Sequence, residues 1–163
     1  MNAAHYERIF GWLEQRPQLK RTVQLATKGL PLLFAAAYGF TSALLFLQKD
    51  ERLFRFLIVP AAALGSCLVL RRMIDAPRPY EVYGFQPLIA RDKKGQSCPS
   101  NHTTSAVVIA LAFLYLSPHG GWMLLPALLV ALSRVVCGVH WPKDVLAGIV
   151  LAGLFGLPGF WII

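Results

Sequence analysis

The chain has 163 residues, a length that fits one domain, and 56% of them are hydrophobic against 15% charged. This balance differs from that of soluble globular proteins and indicates that a lipid bilayer surrounds the chain. The formal net charge of +8 suits an anionic partner. Because the chain is so hydrophobic, we expect that partner to be a lipid headgroup or a phosphate and not nucleic acid.

The first predicted element is residues 1–28, which mix apolar and charged side chains. This segment is too polar to cross a bilayer but suits an amphipathic helix on its surface, with a short soluble cap as the alternative. Five later stretches approach or reach the roughly 17 to 25 apolar residues that a spanning helix needs. They are residues 30–47, 54–70, 100–116, 122–139 and 145–163.

The apolar stretches lack the alternation of a transmembrane barrel, and every backbone amide must be paired within lipid. The sequence therefore predicts an all-α integral-membrane helical bundle, with about five transmembrane helices and one domain over residues 1–163. If all five helices cross, the long connection 71–99 and the short link 140–144 lie at the same membrane face. The polar start of span 100–116 belongs to that face too, and long connections in compact proteins are often functional.

Pro142 suits the first turn of a helix, which places His140 at the helix entry and Asp144 in its first turn. Four residues apart, the two side chains can meet. A carboxylate that accepts a hydrogen bond from one ring nitrogen leaves the other free as an oriented nucleophile or base. A carboxylate that only caps the helix, beside an unrelated histidine, is the alternative interpretation.

Arg71, Arg78 and Arg134 supply guanidinium groups at the same face, and such groups bind phosphate bidentately. Ser100 and the backbone amides that open the third span add neutral donors at a helix N-terminus. His102, in the same turn, is placed to protonate a leaving oxygen. Taken singly, these residues suit ordinary roles as membrane anchors, ion-pair members or helix-end residues. Together they favour phosphoryl transfer, and because no carboxylate cluster is available for magnesium, we expect no metal or other cofactor.

The pattern resembles the type 2 phosphatidic acid phosphatase (PAP2) superfamily, whose signature is K-x6-RP, then PSGH, then SR-x5-H-x3-D. The corresponding segments here are Arg71-x6-Arg78-Pro79, Pro99-Ser100-Asn101-His102 and Ser133-Arg134-x5-His140-x3-Asp144. Three linked motifs in the family's order, between predicted spans as in the family, make a specific signal.

The resemblance implies that His140 is the nucleophile that becomes phosphorylated, that Asp144 orients it, and that His102 is the general acid that later activates water. The positions that match phosphate-binding residues of the family are Arg71, Arg78, Ser100, Asn101 and Arg134. Arg71 stands where the family usually has Lys, which keeps the charge. Asn101 replaces a Gly that lets the backbone approach phosphate, so either its amide joins phosphate binding or the site is remodelled.

The implied activity is that of a metal-independent lipid phosphate or diphosphate phosphatase. Undecaprenyl diphosphate is the leading substrate, ahead of phosphatidylglycerol phosphate and phosphatidate. A phosphotransferase remains open, because water and an alcohol compete for the same phosphohistidine. A non-catalytic protein that binds or transports lipid phosphates is disfavoured, because binding alone needs only the arginines. A site of the vanadium haloperoxidase kind is disfavoured because those proteins are large and soluble.

The resemblance also implies the bacterial plasma membrane, with the site on the extracytoplasmic face. The Lys and Arg distribution favours the opposite orientation, because residues 1–28 and 71–99 carry more of these residues than 49–55. We follow the family on this point. The sequence predicts the membrane bilayer as a partner and makes no prediction about the oligomeric state.

Overall fold

The computed structural model describes residues 1–91 and 93–162. This part of the chain is helical and contains no strand, which confirms the predicted all-α class. A short 3₁₀ helix, Pro118–Met123, precedes the sixth of the α-helices. The α-helices are α1 (Ala3–Glu14), α2 (Pro17–Leu47), α3 (Arg52–Ile74), α4 (Pro79–Tyr83), α5 (Asn101–Leu116), α6 (Leu124–Val136) and α7 (Pro142–Trp161).

Residues 1–28, expected as one surface segment, are divided between two helices. Asn2 caps α1, since its side chain accepts a hydrogen bond from the His5 amide. Pro17 then starts α2, whose 31 residues include the rest of the segment and the first predicted span. Proline suits this first helical position because its missing N–H needs no partner there. At helical rise α2 is about 46 Å long, which exceeds the roughly 30 Å hydrocarbon core of a bilayer.

Among the described residues, four stretches are long and apolar enough to cross a membrane: Pro17–Leu47, Arg52–Tyr83, Pro118–Val136 and Pro142–Trp161. Helix α5, the counterpart of predicted span 100–116, has only 16 residues, or about 24 Å. It packs in the middle of the bundle against α3, α6 and α7. Because these helices enclose it, the polar first turn of α5 is shielded from lipid. The count of five spans stays a prediction.

Helix α7 packs closely on α5 through small residues that recur every fourth position. Gly148, Ala152 and Gly156 are all buried. A Cβ atom at Gly148 would lie 2.9 Å from the carbonyl oxygen of Ser100, so any larger residue would push the helices apart. Small residues at this spacing let helix backbones approach in membranes. The close contact brings the start of α7 to the start of α5, where the Ser100 amide donates to the Asp144 carbonyl at 2.9 Å.

The outer surface of the bundle is apolar. In α6, Ala127 and Val130 are buried, whereas five leucines on the opposite face are exposed. These leucines are Leu124, Leu125, Leu128, Leu129 and Leu132. Similar exposed apolar side chains cover α2, α3 and α7. Soluble monomers rarely expose apolar surface on this scale, so lipid is the solvent that suits this face, and the protein is an integral membrane protein.

Candidate active site

The chain reverses after α6 at Gly138, whose φ of +73° is in the left-handed region that favours glycine. A Cβ atom here would also lie 2.7 Å from the ring of Phe85. The turn lets the amides of Val139 and His140 donate to the carbonyl of Arg134, at 3.2 and 3.3 Å. His140 is thereby held at the end of α6, two residues before α7 begins.

Three guanidinium groups are buried at this end of the bundle. Arg71, Arg78 and Arg134 are 5%, 0% and 2% exposed. None of the three forms a salt bridge with a carboxylate of the described residues. Buried charges usually have a partner of opposite sign, because desolvation costs several kcal/mol per ion. The cluster therefore suits a ligand with more than one negative charge, such as a phosphate group.

Backbone carbonyl groups hold the three guanidinium groups in place. The acceptors are Pro99 for Arg71 (3.0 Å), Gly95 and Val139 for Arg78 (3.0 and 3.2 Å), and Thr27 for Arg134 (2.6 Å). The Nε atom of Arg134 is buried and has no partner in the part of the chain that the structure describes. Each guanidinium carries five N–H donors, so donors remain for a ligand after these bonds are made.

The first turn of α5 lies beside the arginines. Ser100 is fully buried at the N-cap, and its hydroxyl accepts a hydrogen bond from Thr103 at 3.0 Å. The Oδ1 atom of Asn101 is buried and lacks a partner among the described residues. His102 follows, close enough to Arg134 for the guanidinium charge to act on it. The helix N-terminus thus adds its own preference for anions to that of the arginines.

His140 and Asp144 are 1% and 0% exposed, and their Nδ1 and Oδ2 atoms lie 3.6 Å apart. This is ion-pair range but too long for a hydrogen bond. Oδ2 accepts from the Trp141 amide at 2.9 Å and from the Ser97 hydroxyl. Asp144 therefore caps α7 and also lies beside His140.

His140 is neutral at physiological pH. Burial, together with the charges of Arg78 and Arg71, lowers the pKa of His140 to about 4, although Asp144 acts in the opposite direction. A nucleophilic imidazole must be unprotonated on its attacking nitrogen. The environment thus keeps His140 in the form that can attack phosphorus.

An apolar cleft of about 400 Å³ runs from His102 between α2, α3 and α5. Its walls include Phe34 and Tyr38 of α2, Ala61 and Leu64 of α3, and Ile109 of α5. The cleft is suited to a hydrocarbon chain, and its lining includes His102 in the first turn of α5.

Residues 52–163 match the family model of the PAP2 superfamily. The chain belongs to the PAP2 superfamily. An undecaprenyl-diphosphatase of Sulfolobus acidocaldarius is 30% identical over 151 residues, which cover 85% of this chain and 69% of that protein. The undecaprenyl-diphosphatase BcrC of Bacillus subtilis is 37% identical over 81 residues, which cover 49% of this chain and 42% of BcrC.

Two solved structures of membrane phosphatases are similar. The transmembrane PAP2-type phosphatidylglycerolphosphate phosphatase of Bacillus subtilis has a TM-score of 0.67 at 26% identity, and the match covers 96% of this chain and 83% of that one. Aquifex aeolicus LpxE has a TM-score of 0.64 at 21% identity, with 87% and 92% covered. At that identity LpxE supports the fold alone.

The PAP2 motifs, separated by up to tens of residues in the chain, meet at one end of the bundle, as the sequence predicts. Their predicted site residues are Arg71, Arg78, Ser100, Asn101, His102, Arg134, His140 and Asp144. The roles assigned to them remain proposals.

Sequence reasoning missed two residues of this region. Ser97 contacts Asp144, 47 residues away in the chain, and nothing in its local pattern indicates that partner. Arg91 lies close enough to Arg71, Arg78 and Arg134 to repel their charges. Its segment is anchored to the end of α6, where the Leu88 amide donates to the Cys137 carbonyl at 3.2 Å. The only indication of Arg91 in the sequence was that it is a basic residue within the 71–99 connection.

Proposed function

We propose that this PAP2 protein hydrolyses a lipid phosphate or diphosphate through a phosphohistidine on His140, with undecaprenyl diphosphate as the favoured substrate. One observation carries the proposal: a buried neutral imidazole lies beside buried arginines that form no salt bridge with a carboxylate of residues 1–91 and 93–162. A multiply charged phosphate would satisfy these cations while the imidazole supplies the nucleophile.

The chain is a phosphatase, since it belongs to the PAP2 superfamily and its relatives include proteins named undecaprenyl-diphosphatase, lipid A 1-phosphatase and acid phosphatase. The names of the Sulfolobus and Bacillus relatives support a prenyl diphosphate as the substrate. The apolar cleft that ends at His102 supports a substrate with a long hydrocarbon chain.

In the first step, the free Nε2 lone pair of His140 forms a bond to the terminal phosphorus. The bond from phosphorus to the leaving oxygen breaks, and that oxygen keeps the electron pair. His102 gives a proton to the leaving group, and Arg71, Arg78 and Arg134 stabilise the charge on the equatorial oxygens. The ring proton on Nδ1 stays in place, so the phosphorylated ring carries a positive charge near Asp144.

In the second step, His102 takes a proton from water, and the water oxygen attacks the phosphorus of the phosphohistidine. The phosphorus–nitrogen bond breaks, its electrons return to the ring, and inorganic phosphate leaves. His140 is then neutral again, and His102 has regained the proton that it gave in the first step. An alcohol in place of water would give phosphotransfer by the same route.

Phosphatidylglycerol phosphate is the second candidate substrate. The observation that favours it is the Bacillus subtilis structure, which is named as a phosphatase for this lipid and covers nearly the whole chain. Both candidates combine a terminal phosphate with a long apolar tail. They differ in the group that leaves, which is a phosphate in the diphosphate and an alkoxide in the glycerolipid.

For location we propose the bacterial plasma membrane, with the site on the extracytoplasmic face. Helix α1 lies at the same end of the bundle as the site, since Tyr6 of α1 contacts Trp141 with ring centroids 6.4 Å apart. A cysteine introduced at exposed Lys94, in a variant whose three native cysteines have been replaced, should be labelled in intact cells by a reagent that does not cross membranes. Labelling only after lysis would place the site in the cytoplasm.

The substrate proposal is tested by release of inorganic phosphate from purified protein in detergent, across a panel of prenyl and glycerolipid phosphates. We expect undecaprenyl diphosphate to give the highest kcat/KM. A higher value for phosphatidylglycerol phosphate would favour the second candidate. No release from any lipid by the wild-type protein, combined with tight binding of the same lipids, would favour the non-catalytic binder and contradict the proposal.

A further inference from the structure

Resting on the proposed phosphohistidine mechanism, we propose that Ser97 is a positioning residue whose hydroxyl joins Asp144 to His140. It accepts a hydrogen bond from Nδ1–H of the imidazole and donates one to the carboxylate. Asp144 would then act on His140 through Ser97 in addition to the direct ion-pair contact.

The distances between the three side chains support this arrangement. The His140 Nδ1 and Asp144 Oδ2 atoms are 3.6 Å apart, beyond hydrogen-bond length. The Ser97 hydroxyl bonds to that same Oδ2 atom and lies 3.4 Å from Nδ1. A serine hydroxyl can donate one hydrogen bond and accept two, so it can serve both neighbours at once.

The backbone around Ser97 fixes the position of the hydroxyl. The Ser97 amide donates to the Ala76 carbonyl at 2.9 Å, and the residue is fully buried. Arg78 binds the carbonyl groups of the two preceding residues, Gly95 and Gln96, at 3.0 and 3.4 Å. One segment thus holds a phosphate-binding arginine on one side and the His140 partner on the other.

The chemistry of the first step explains what such a bridge does. When Nε2 bonds to phosphorus, the ring becomes positively charged while its proton stays on Nδ1. A hydrogen bond from Nδ1–H to a hydroxyl that is itself bonded to a carboxylate stabilises that charge and keeps the tautomer that leaves Nε2 free. The bridge therefore acts on the rate of phosphorylation and only weakly on substrate binding.

The test measures single-turnover formation of phosphohistidine, together with kcat and KM, in Ser97→Ala, Asp144→Asn and the double variant. We expect Ser97→Ala to lower the phosphorylation rate about 10- to 100-fold and to change KM by less than about threefold. In the Asp144→Asn background, Ser97→Ala should cost less than about threefold more, because its partner is already altered. If the losses in phosphorylation rate of Ser97→Ala and Asp144→Asn multiply in the double variant, the proposal is overturned.

A matched pair separates the hydroxyl from packing. Ser97→Thr and Ser97→Val have nearly the same shape and share any steric cost, but only threonine keeps the hydroxyl. We expect the threonine variant to be at least about fivefold faster than the valine variant. Equal rates would overturn the proposal. If both variants fail to fold, as judged by size-exclusion chromatography and thermal unfolding, the comparison of Ser97→Ala, Asp144→Asn and the double variant decides.

Ser42→Ala serves as the control, since the Ser42 hydroxyl donates within its own helix, to the Tyr38 carbonyl at 2.7 Å. It should leave the rates unchanged within about twofold. Failure of the inference is distinguishable from failure of the proposed function. If the wild-type protein forms no phosphohistidine, the mechanism itself is wrong. If it does, and the Ser97 losses multiply with those of Asp144, only the bridging role is wrong.

Discussion

Arginine residues lie at both ends of the bundle, but in opposite surroundings. Arg52, at the start of α3, is exposed and pairs with Asp50, with Nη2 and Oδ2 2.6 Å apart. The hydrogen bonds from Arg52 lower the pKa of Asp50 to about 2. At the other end, Arg78 is fully buried and bonds to carbonyl groups. The protein neutralises the first cation itself, whereas the second has no carboxylate partner among the described residues, which suits the proposed binding of a phosphate.

The largest effect should come from removing a buried arginine. We expect Arg78→Ala to lower kcat/KM about 100- to 1,000-fold, because a preorganised donor to the phosphoryl oxygens is lost. Arg78→Lys keeps the charge without the planar fork, so its kcat/KM should lie between those of the wild type and Arg78→Ala. The matched control Arg52→Ala should stay within about twofold of wild type. Similar losses for Arg52→Ala and Arg78→Ala would break the contrast between the two ends.

The cleft offers a second contrast, between two exposed alanines of α3. Ala61 lines the cleft and its neighbour Ala62 does not. Ala61→Phe should lower kcat/KM for a long-chain lipid phosphate about tenfold, which corresponds to the loss of roughly two buried methylene groups. It should leave a short, water-soluble phosphate ester unaffected, and Ala62→Phe should affect neither. Equal loss on both substrates in Ala61→Phe would show that the cleft does not hold the tail.

The pH dependence should reflect the burial of His140. Since the neutral imidazole is the active form and its pKa is lowered to about 4, kcat/KM should persist in mild acid and fall as the pH drops through 4. Below that value the loss should approach about tenfold per pH unit. The measurement is kcat/KM from pH 3 to 8, with recovery at pH 7 as the control for denaturation. A histidine-dependent fall centred near 6.5 would mean that burial does not set this pKa.

The smallest effect should come from Arg91, which is only partly buried. Arg91→Gln should lower kcat/KM for a diphosphate about two- to fivefold and less for a monophosphate, because the extra cation acts on the extra charge of the substrate. Lys94→Gln removes a charge from an exposed position of the same loop and is the control. Equal losses on both substrates would assign Arg91 to general attraction of anions.

The limits of the sequence are visible in α2. Apolar content predicts a span over 30–47, but the helix starts at Pro17, because polar residues such as Lys20 and Lys28 end a hydropathy window without ending a helix. A helix can continue into the interface, where its backbone remains paired and its charged side chains reach water. By contrast, α5 and α7 match predicted spans 100–116 and 145–163 closely, because proline and polar residues mark where those helices begin.

The site likewise contains contacts that the sequence predicts and contacts that it does not. Spacing alone relates His140 to Asp144, since four residues at a helix entry bring two side chains to one side. Spacing says nothing about Ser97, whose contact with Asp144 exists only once the 71–99 connection folds back over the start of α7. Motifs identify residues whose relation is local or shared by a family, whereas a contact between a loop and a helix needs the fold.

Formation of a phosphohistidine on His140 is tested most directly by rapid quenching. The enzyme is mixed with substrate that carries a labelled terminal phosphate, in the presence of EDTA. We expect an acid-labile phosphate on His140, formed and lost at rates compatible with turnover. It should be absent from His140→Ala, which should release no phosphate above background. Steady turnover by His140→Ala would contradict the phosphohistidine mechanism. So would the absence of labelled protein in a wild-type enzyme whose rate-limiting step is hydrolysis of the intermediate.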